Sequence, residues 1–168
     1  MQILLDKVFN EFGAEELQNE PHYHKNIRNI AISWACQAHL PACLNQTYDK
    51  MNELIKGHRT GFSSDHESAI FCNGLLVADE PEFNFMWNLF KTTNDNARRT
   101  FYLQSIGCME NERILTQFVE NVLTSNDLEN ENNDEWFTIL QAVYLNGPVG
   151  LRVALKFMRV HYDPFLGL

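Results

Sequence analysis

The chain has 168 residues, 45% of them apolar, which is long enough to bury one substantial core. Its 13 basic residues are outnumbered by 22 acidic ones, and the resulting net charge of −9 argues against nucleic acid and anionic membrane surfaces as partners. No apolar run approaches the ~20 residues of a membrane-spanning helix. Glycine and proline are sparse and the apolar spacing is mostly three and four, which marks an all-α fold.

The opening stretch, MQILLDKVFNEFG, has no basic leader region, and Asp6 interrupts its apolar residues almost at once. It reads as a first helix over about 2–12, not as a secretory signal. A second helix is expected over about 23–39, and WACQAHLPAC (34–43) closes it. In one unbroken helix Cys36 and Cys43 would lie ~10 Å apart, whereas a disulfide needs Cα atoms within roughly 7 Å. Pro41 ends the helix between them, because proline has no N–H and disfavours a helical Leu40. A tight corner there would bring the sulfurs together.

Further helices are expected over about 42–56, 65–77, 81–92, 95–107, 111–124, 134–145 and 148–161. Ser64 and Asp65, Asn94, and Pro148 supply start signals for the fourth, sixth and ninth. Gly57, Gly74 and Gly107 fall near helix ends, where left-handed residues are expected.

Positions 36, 72 and 108 are all cysteine, each near the end of a similar segment (NIAISWAC, HESAIFC, FYLQSIGC), and the next step is Tyr144 in TILQAVY. A period of 36 belongs to two-helix solenoid repeats. The expectation is an α-α superhelix of HEAT/armadillo-like repeats, about nine helices, forming a single α-solenoid domain over 1–168. The second helix of each unit carries its own stripe: Tyr48, Met51, Leu54; Phe83, Met86, Phe90; Ile114, Phe118, Val122; Val153, Phe157, Val160. Such stripes read as packing between stacked helices.

Four cysteines allow three pairings. Cys36–Cys108 would skip a repeat, and Cys36–Cys72 would strand Cys43 against Cys108 across two. Only Cys36–Cys43 with Cys72–Cys108 leaves both bridges local. In the chain-entropy account the short loop contributes about 2.5 kcal/mol and the long one nearly 4. Two bridges call for an oxidising compartment. Four buried free thiols in a cytosolic solenoid are the alternative.

No catalytic, cofactor or metal constellation emerges. His66-Glu67 is followed by Ser68-Ala69-Ile70, so no H-E-x-x-H zinc helix is formed. His22-x-His24 points in divergent directions on a helix, and His39, His58 and His161 have no ligand spacing. The acidic run LENENNDE (128–135) lacks EF-hand spacing and a turn glycine. No glycine-flanked serine elbow occurs. Asn45-Gln46-Thr47 is an N-glycosylation sequon, with Asn45 as acceptor. The first and last helices carry no polar cap: ILLDKVFNEF holds Phe9, and the last is followed by Phe165, so both ends are expected to expose apolar surface and self-associate.

Several stretches together match a known family. IAISWACQAHLPAC, FCNGLLVADEPEFNFMWNLFKTTNDNARRTFYLQSIGC and NGPVGLRVALKFMRVHY resemble the paired-cysteine corner, the second cysteine segment and the Asn-x-x-Gly corner of M1 zinc aminopeptidases, aminopeptidase N group. The region that resembles them, about Leu4 to Tyr162, is the carboxy-terminal helical domain. Phe83 and Tyr162 stand where tryptophan is common, which fits a divergent, insect-like member. CMENE (108–112) lacks the Gly-Ala that precedes Met-Glu-Asn in the family's substrate-amine motif and reads as coincidence.

The resemblance implies a non-catalytic domain that caps the catalytic domain and shapes peptide access. It implies zinc and removal of amino-terminal residues in the parent enzyme only, so the chain alone is no enzyme. It also implies the same disulfide pairing, dimerisation through the helical domain, and an extracellular or cell-surface setting, membrane-anchored or secreted, for a longer protein of which this chain is a piece. The competing reading is an independent extracellular binding module or receptor surface without peptidase activity.

Overall fold

The computed structural model describes residues 2–17, 19–57, 63–124 and 134–166, with side chains described over 3–17, 19–57, 63–122 and 137–161. Among them the fold is all-α, and each of the nine expected helices appears within two residues of its expected bounds, apart from the end of the last. The chain forms two compact units, Met1–Val77 and Ala78–Leu168.

The first unit contains α1 (Gln2–Phe12), α2 (His22–Gln37), α3 (Pro41–Ile55) and α4 (Ser64–Leu75). Helix α2 packs against the other three, and α3 packs on α4. The core joins Phe9 of α1, Ala31, Ile32 and Ala35 of α2, Met51 of α3 and Ile70 of α4. Phe9, expected on a free surface, is fully buried. Helix α1 is therefore packed through Phe9, while Ile3 and Leu4, 78% and 71% exposed, leave apolar surface at its start as expected. It stops at Gly13, whose φ of 61° is a left-handed conformation and whose N–H bonds to Phe9 O at 2.7 Å.

Helix α2 ends as the cysteine spacing requires. His39 turns left-handed (φ 55°), its N–H bonds to Cys36 O, and the Leu40 N–H bonds to Ala35 O at 3.0 Å, a Schellman closure. Pro41 then opens α3, where its missing N–H costs nothing. Across this corner Cys36 and Cys43 are disulfide-bonded, with Cα atoms 5.2 Å apart. Helix α4 starts one residue earlier than the sequence suggests: Ser63 is the cap, its hydroxyl accepting from His66 N–H.

The second unit contains α5 (Glu80–Thr92), α6 (Asn96–Gly107), α7 (Glu112–Thr124), α8 (Asp134–Leu145) and α9 (Pro148–Leu166). Helix α6 packs on α5 and α8, and α9 packs on α7 and α8. The expected stripes point inward at Met86, Phe90, Ile114, Phe118, Val122, Val153 and Phe157, whereas Val160 is 65% exposed and leaves the stripe. The cap of α6 is Asp95, not Asn94, and it accepts from the N–H groups of Ala97 and Arg98. Helix α9 continues to Leu166, five residues past the expected end.

The next-but-one packing of α2 on α4 and of α6 on α8 is what the 36-residue period encodes. Gly57 has the expected left-handed φ of 86°. Gly74 and Gly107 do not, and serve close approach instead. A Cβ on Gly74 would sit 2.9 Å from Met51 Cβ, and one on Gly107 only 2.1 Å from Ala142 O. In the Asn-x-x-Gly corner, Gly150 likewise approaches the neighbouring Val143 O, at 2.0 Å for an added Cβ. Two consecutive carbonyls of α8 are thus faced by glycines of two other helices. Asn146 completes the corner by donating to Ala142 O and, at 3.4 Å, to Gln104 O.

Candidate functional site

In the first unit, segment 13–21 connects α1 to α2 and is fastened by buried polar groups. Arg28, 2% exposed, pairs with Glu20 and donates to Gly13 O at 3.3 Å. Glu16 pairs with Lys25 and accepts from both the N–H (2.9 Å) and the hydroxyl (3.2 Å) of Ser63. Burial pushes the Glu16 carboxyl up, but Lys25 and the two Ser63 donors outweigh it and hold the group below the ordinary carboxylate range.

His66 lies beneath this strap, 1% exposed. Its Nε2 is 3.2 Å from Ala14 O and its Nδ1 is 2.9 Å from the Asn29 side-chain amide. Burial pushes its pKa down. Glu16, the Ala14 carbonyl and Glu20 oppose that shift, and Arg28 reinforces it. Both neighbouring atoms, Ala14 O and Asn29 Oδ1, are oxygens, and the neutral ring donates its one N–H to one of them. His66 is therefore a structural clamp. Both of its ring nitrogens are engaged.

Other sequence candidates have structural partners of their own. His24 packs edge-on to Phe12 and Tyr23, at 5.9 and 4.4 Å between ring centroids. Met109 of CMENE is buried, Asn111 donates to Asp79 at 3.0 Å and accepts from Ile114 N–H, and Glu112 pairs with Arg152 at 3.3 Å. Among the described residues no group of three or more His, Cys, Asp or Glu could hold a metal, and no helix is long and apolar enough to cross a membrane. The acidic run at 128–133 and His58 lie outside the described residues, as does the side chain of Phe165. Cys72 and Cys108 are both in disulfide form, and no described cysteine is free. Asn45 is exposed on α3, while Thr47 is fully buried and its hydroxyl donates to Cys43 O at 2.9 Å.

What sequence reasoning missed is a groove of about 470 Å³ between α2 and α4, lined by Asn29, Ile30, Ser33, Trp34, Asp65, Ser68 and Asn73 among others. Trp34 is 59% and Ile30 58% exposed. With Tyr23 and Ile27, also exposed, they form a second apolar stripe on α2 at spacings of four, three and four. That spacing was visible in the sequence.

A family model described as the ERAP1-like C-terminal domain matches residues 1–167. The chain belongs to this family. Among curated relatives, this ERAP1-like domain is 22% identical over 151 residues to an aminopeptidase N of Plutella xylostella, covering 90% of the chain and 16% of the relative. It is 26% identical over 123 residues to a membrane alanyl aminopeptidase of Heliothis virescens, covering 73% of the chain and 12% of the relative. A thyrotropin-releasing hormone-degrading ectoenzyme of Rattus norvegicus is 23% identical over 150 residues, with 89% and 14% covered. The chain thus spans about one-sixth or less of the length of these relatives. The resemblance to the carboxy-terminal helical domain of aminopeptidases is borne out.

Proposed function

We propose that this chain is the helical C-terminal part of an M1 zinc aminopeptidase whose chemistry, removal of amino-terminal residues from peptides, is carried elsewhere in a longer protein. The match over 1–167, joined to relatives of which only about one-sixth is covered, carries this reading. The His66-Glu67 pair does not fit the zinc, because both His66 ring nitrogens are engaged with Ala14 and Asn29. The domain's part is to cover the catalytic domain and shape which peptides enter.

The relatives' names, a membrane alanyl aminopeptidase and an ectoenzyme, support a cell-surface or extracellular location, as do disulfides. Cys72 pairs with Cys108 on the repeat argument, and Asn45 is a glycosylation site by its sequon and exposure. Self-association runs through the exposed α9 stripe of Leu151, Leu155 and Met158.

The test is chemical and genetic. The purified 168-residue chain should contain no stoichiometric zinc and hydrolyse no aminoacyl anilide. The full transcript should encode an H-E-x-x-H segment upstream, and a complete transcript without one overturns the reading. The exposed Tyr23–Trp34 stripe favours a second reading, an independent protein-binding module. The same transcript decides between the two.

A further inference from the structure

We propose that the α2–α4 groove is a binding site for a cationic side chain of a peptide, arginine above all. The inference rests on the groove and not on the peptidase reading. Three of its polar side chains turn a donor back onto their own helix. Ser33 gives its hydroxyl proton to Asn29 O (3.0 Å), Ser68 gives its own to Ser64 O (3.2 Å), and Asn73 spends an amide N–H on Ala69 O (2.7 Å). The Ser33 and Ser68 hydroxyls thereby keep oxygen lone pairs for the groove, and the Asn29, Gln37 and Asn73 amides can both donate and accept.

Asp65 adds a carboxylate, and none of the lining residues is basic. Beside these acceptors stand the exposed Trp34 indole, whose face attracts cations, and the exposed Ile30 side chain, which can cover an aliphatic stem. A guanidinium answers every feature at once. It brings donors and no acceptor, carries permanent charge, and stacks flat on an indole. A carboxylate or phosphate would find amide donors at Asn29, Gln37 and Asn73, but it would also meet the Asp65 charge with no basic lining residue to offset it. The groove's volume, about 470 Å³, suits a side chain with its flanking backbone.

The chain labelled with ¹⁵N can be titrated with a blocked Gly-Gly-Arg-Gly-Gly peptide, with its neutral citrulline counterpart, and with spermidine. The arginine peptide should shift the backbone amides of Ser33 and Asn73 and the Trp34 indole N–H, with roughly millimolar affinity. The citrulline peptide should bind at least about threefold more weakly, since an exposed cation–π or ion-pair contact has that order of worth. Asp65→Asn and Trp34→Ala should each weaken the arginine peptide by a similar factor, with melting temperature unchanged because both residues are exposed. Equal binding of citrulline, or an Asp65→Asn chain that binds undiminished, overturns the proposal. Spermidine binding as tightly as the peptide overturns the peptide source. Failure here leaves the upstream zinc test untouched, and failure there leaves this one untouched.

Discussion

Replacing Gly107 with alanine sets two physical effects against each other. In a helix, glycine to alanine gains up to about 1 kcal/mol from propensity. Here the new Cβ would lie 2.1 Å from Ala142 O and 2.6 Å from Ala142 C, backbone atoms that cannot rotate away. Ordinary contact begins at 3.4 Å, so α6 and α8 must separate by over an ångström. A gap of that size forfeits a quarter to a half of each dispersion contact it opens, and Leu103, Ile106, Ile139 and Val143 are all buried on these two helices. Overpacking of this kind costs about 1–3 kcal/mol or more. Net destabilisation should be about 1–2 kcal/mol, a fall of roughly 3–8 °C in Tm for a chain of this size. Thermal and urea unfolding followed by circular dichroism measure it. An unchanged or raised Tm would show that helix propensity governs the site and that the close approach is illusory. Gly150→Ala should act alike through Val143 O, and the double variant should lose less than the sum, since one displacement of α8 relieves both clashes.

Arg28→Met should cost about 3–5 kcal/mol by leaving Glu20 buried and unpaired, and adding Glu20→Gln should recover much of it; a double-mutant cycle with no coupling would refute this. Acidification should destabilise the fold. The unfolded His66 takes its proton near 6.5 while the folded ring resists, so its contribution is complete above that pH and declines below it. Glu16, held low in the fold, adds a loss of the same sign as pH falls below the ordinary carboxylate range and through its folded value. His66→Gln should flatten the slope between pH 7 and 5, and an unchanged slope would assign it elsewhere. Non-reducing peptide mapping should find Cys36 joined to Cys43 and Cys72 to Cys108, with any other pairing breaking the repeat argument. Leu155→Glu, on an exposed position of α9, should lower self-association in sedimentation without a change in Tm. A wild-type chain that is monomeric at high micromolar concentration would remove the effect to be lowered.

Most of the helical layout was legible because apolar spacing, proline and cap residues act within a few positions of themselves. Pro41 dictated the corner at Leu40, and the 36-residue recurrence dictated that α2 lies on α4. Properties that depend on a neighbour's identity were not legible. Phe9 and Val160 are both apolar residues on terminal helices, yet Phe9 meets α2 and the rest of the first core while Val160 meets solvent. Gly74 and Gly107 were read as chain-reversing residues from their place near helix ends, and only the facing Met51 and Ala142 show that they are spacers. The groove was hidden differently. Ser33→Asn29, Ser68→Ser64 and Asn73→Ala69 all span four residues along one helix. Serine and asparagine in helix interiors bond back in this way, so the inward turn of these three donors could have been inferred once two such helices were known to be adjacent.

Helix α2 is also the element best prepared to present a surface. Its N-terminal half is held by the strap through Lys25, Arg28 and Asn29, and its C-terminal end is closed by the His39 turn and the Cys36–Cys43 bridge. Its inner face, Ala31, Ile32, Ala35 and Cys36, is buried. The outer stripe of Tyr23, Ile27, Ile30 and Trp34 is thereby carried on a backbone fixed at both ends. A partner meeting it would order few protein groups, and association loses less free energy to ordering when the surface is already in place. The argument can be inverted: loosening the strap by Arg28→Met should weaken binding in the groove although Arg28 does not line it. If the arginine peptide bound a folded Arg28→Met chain as well as the wild type, rigidity of α2 would have no part in recognition.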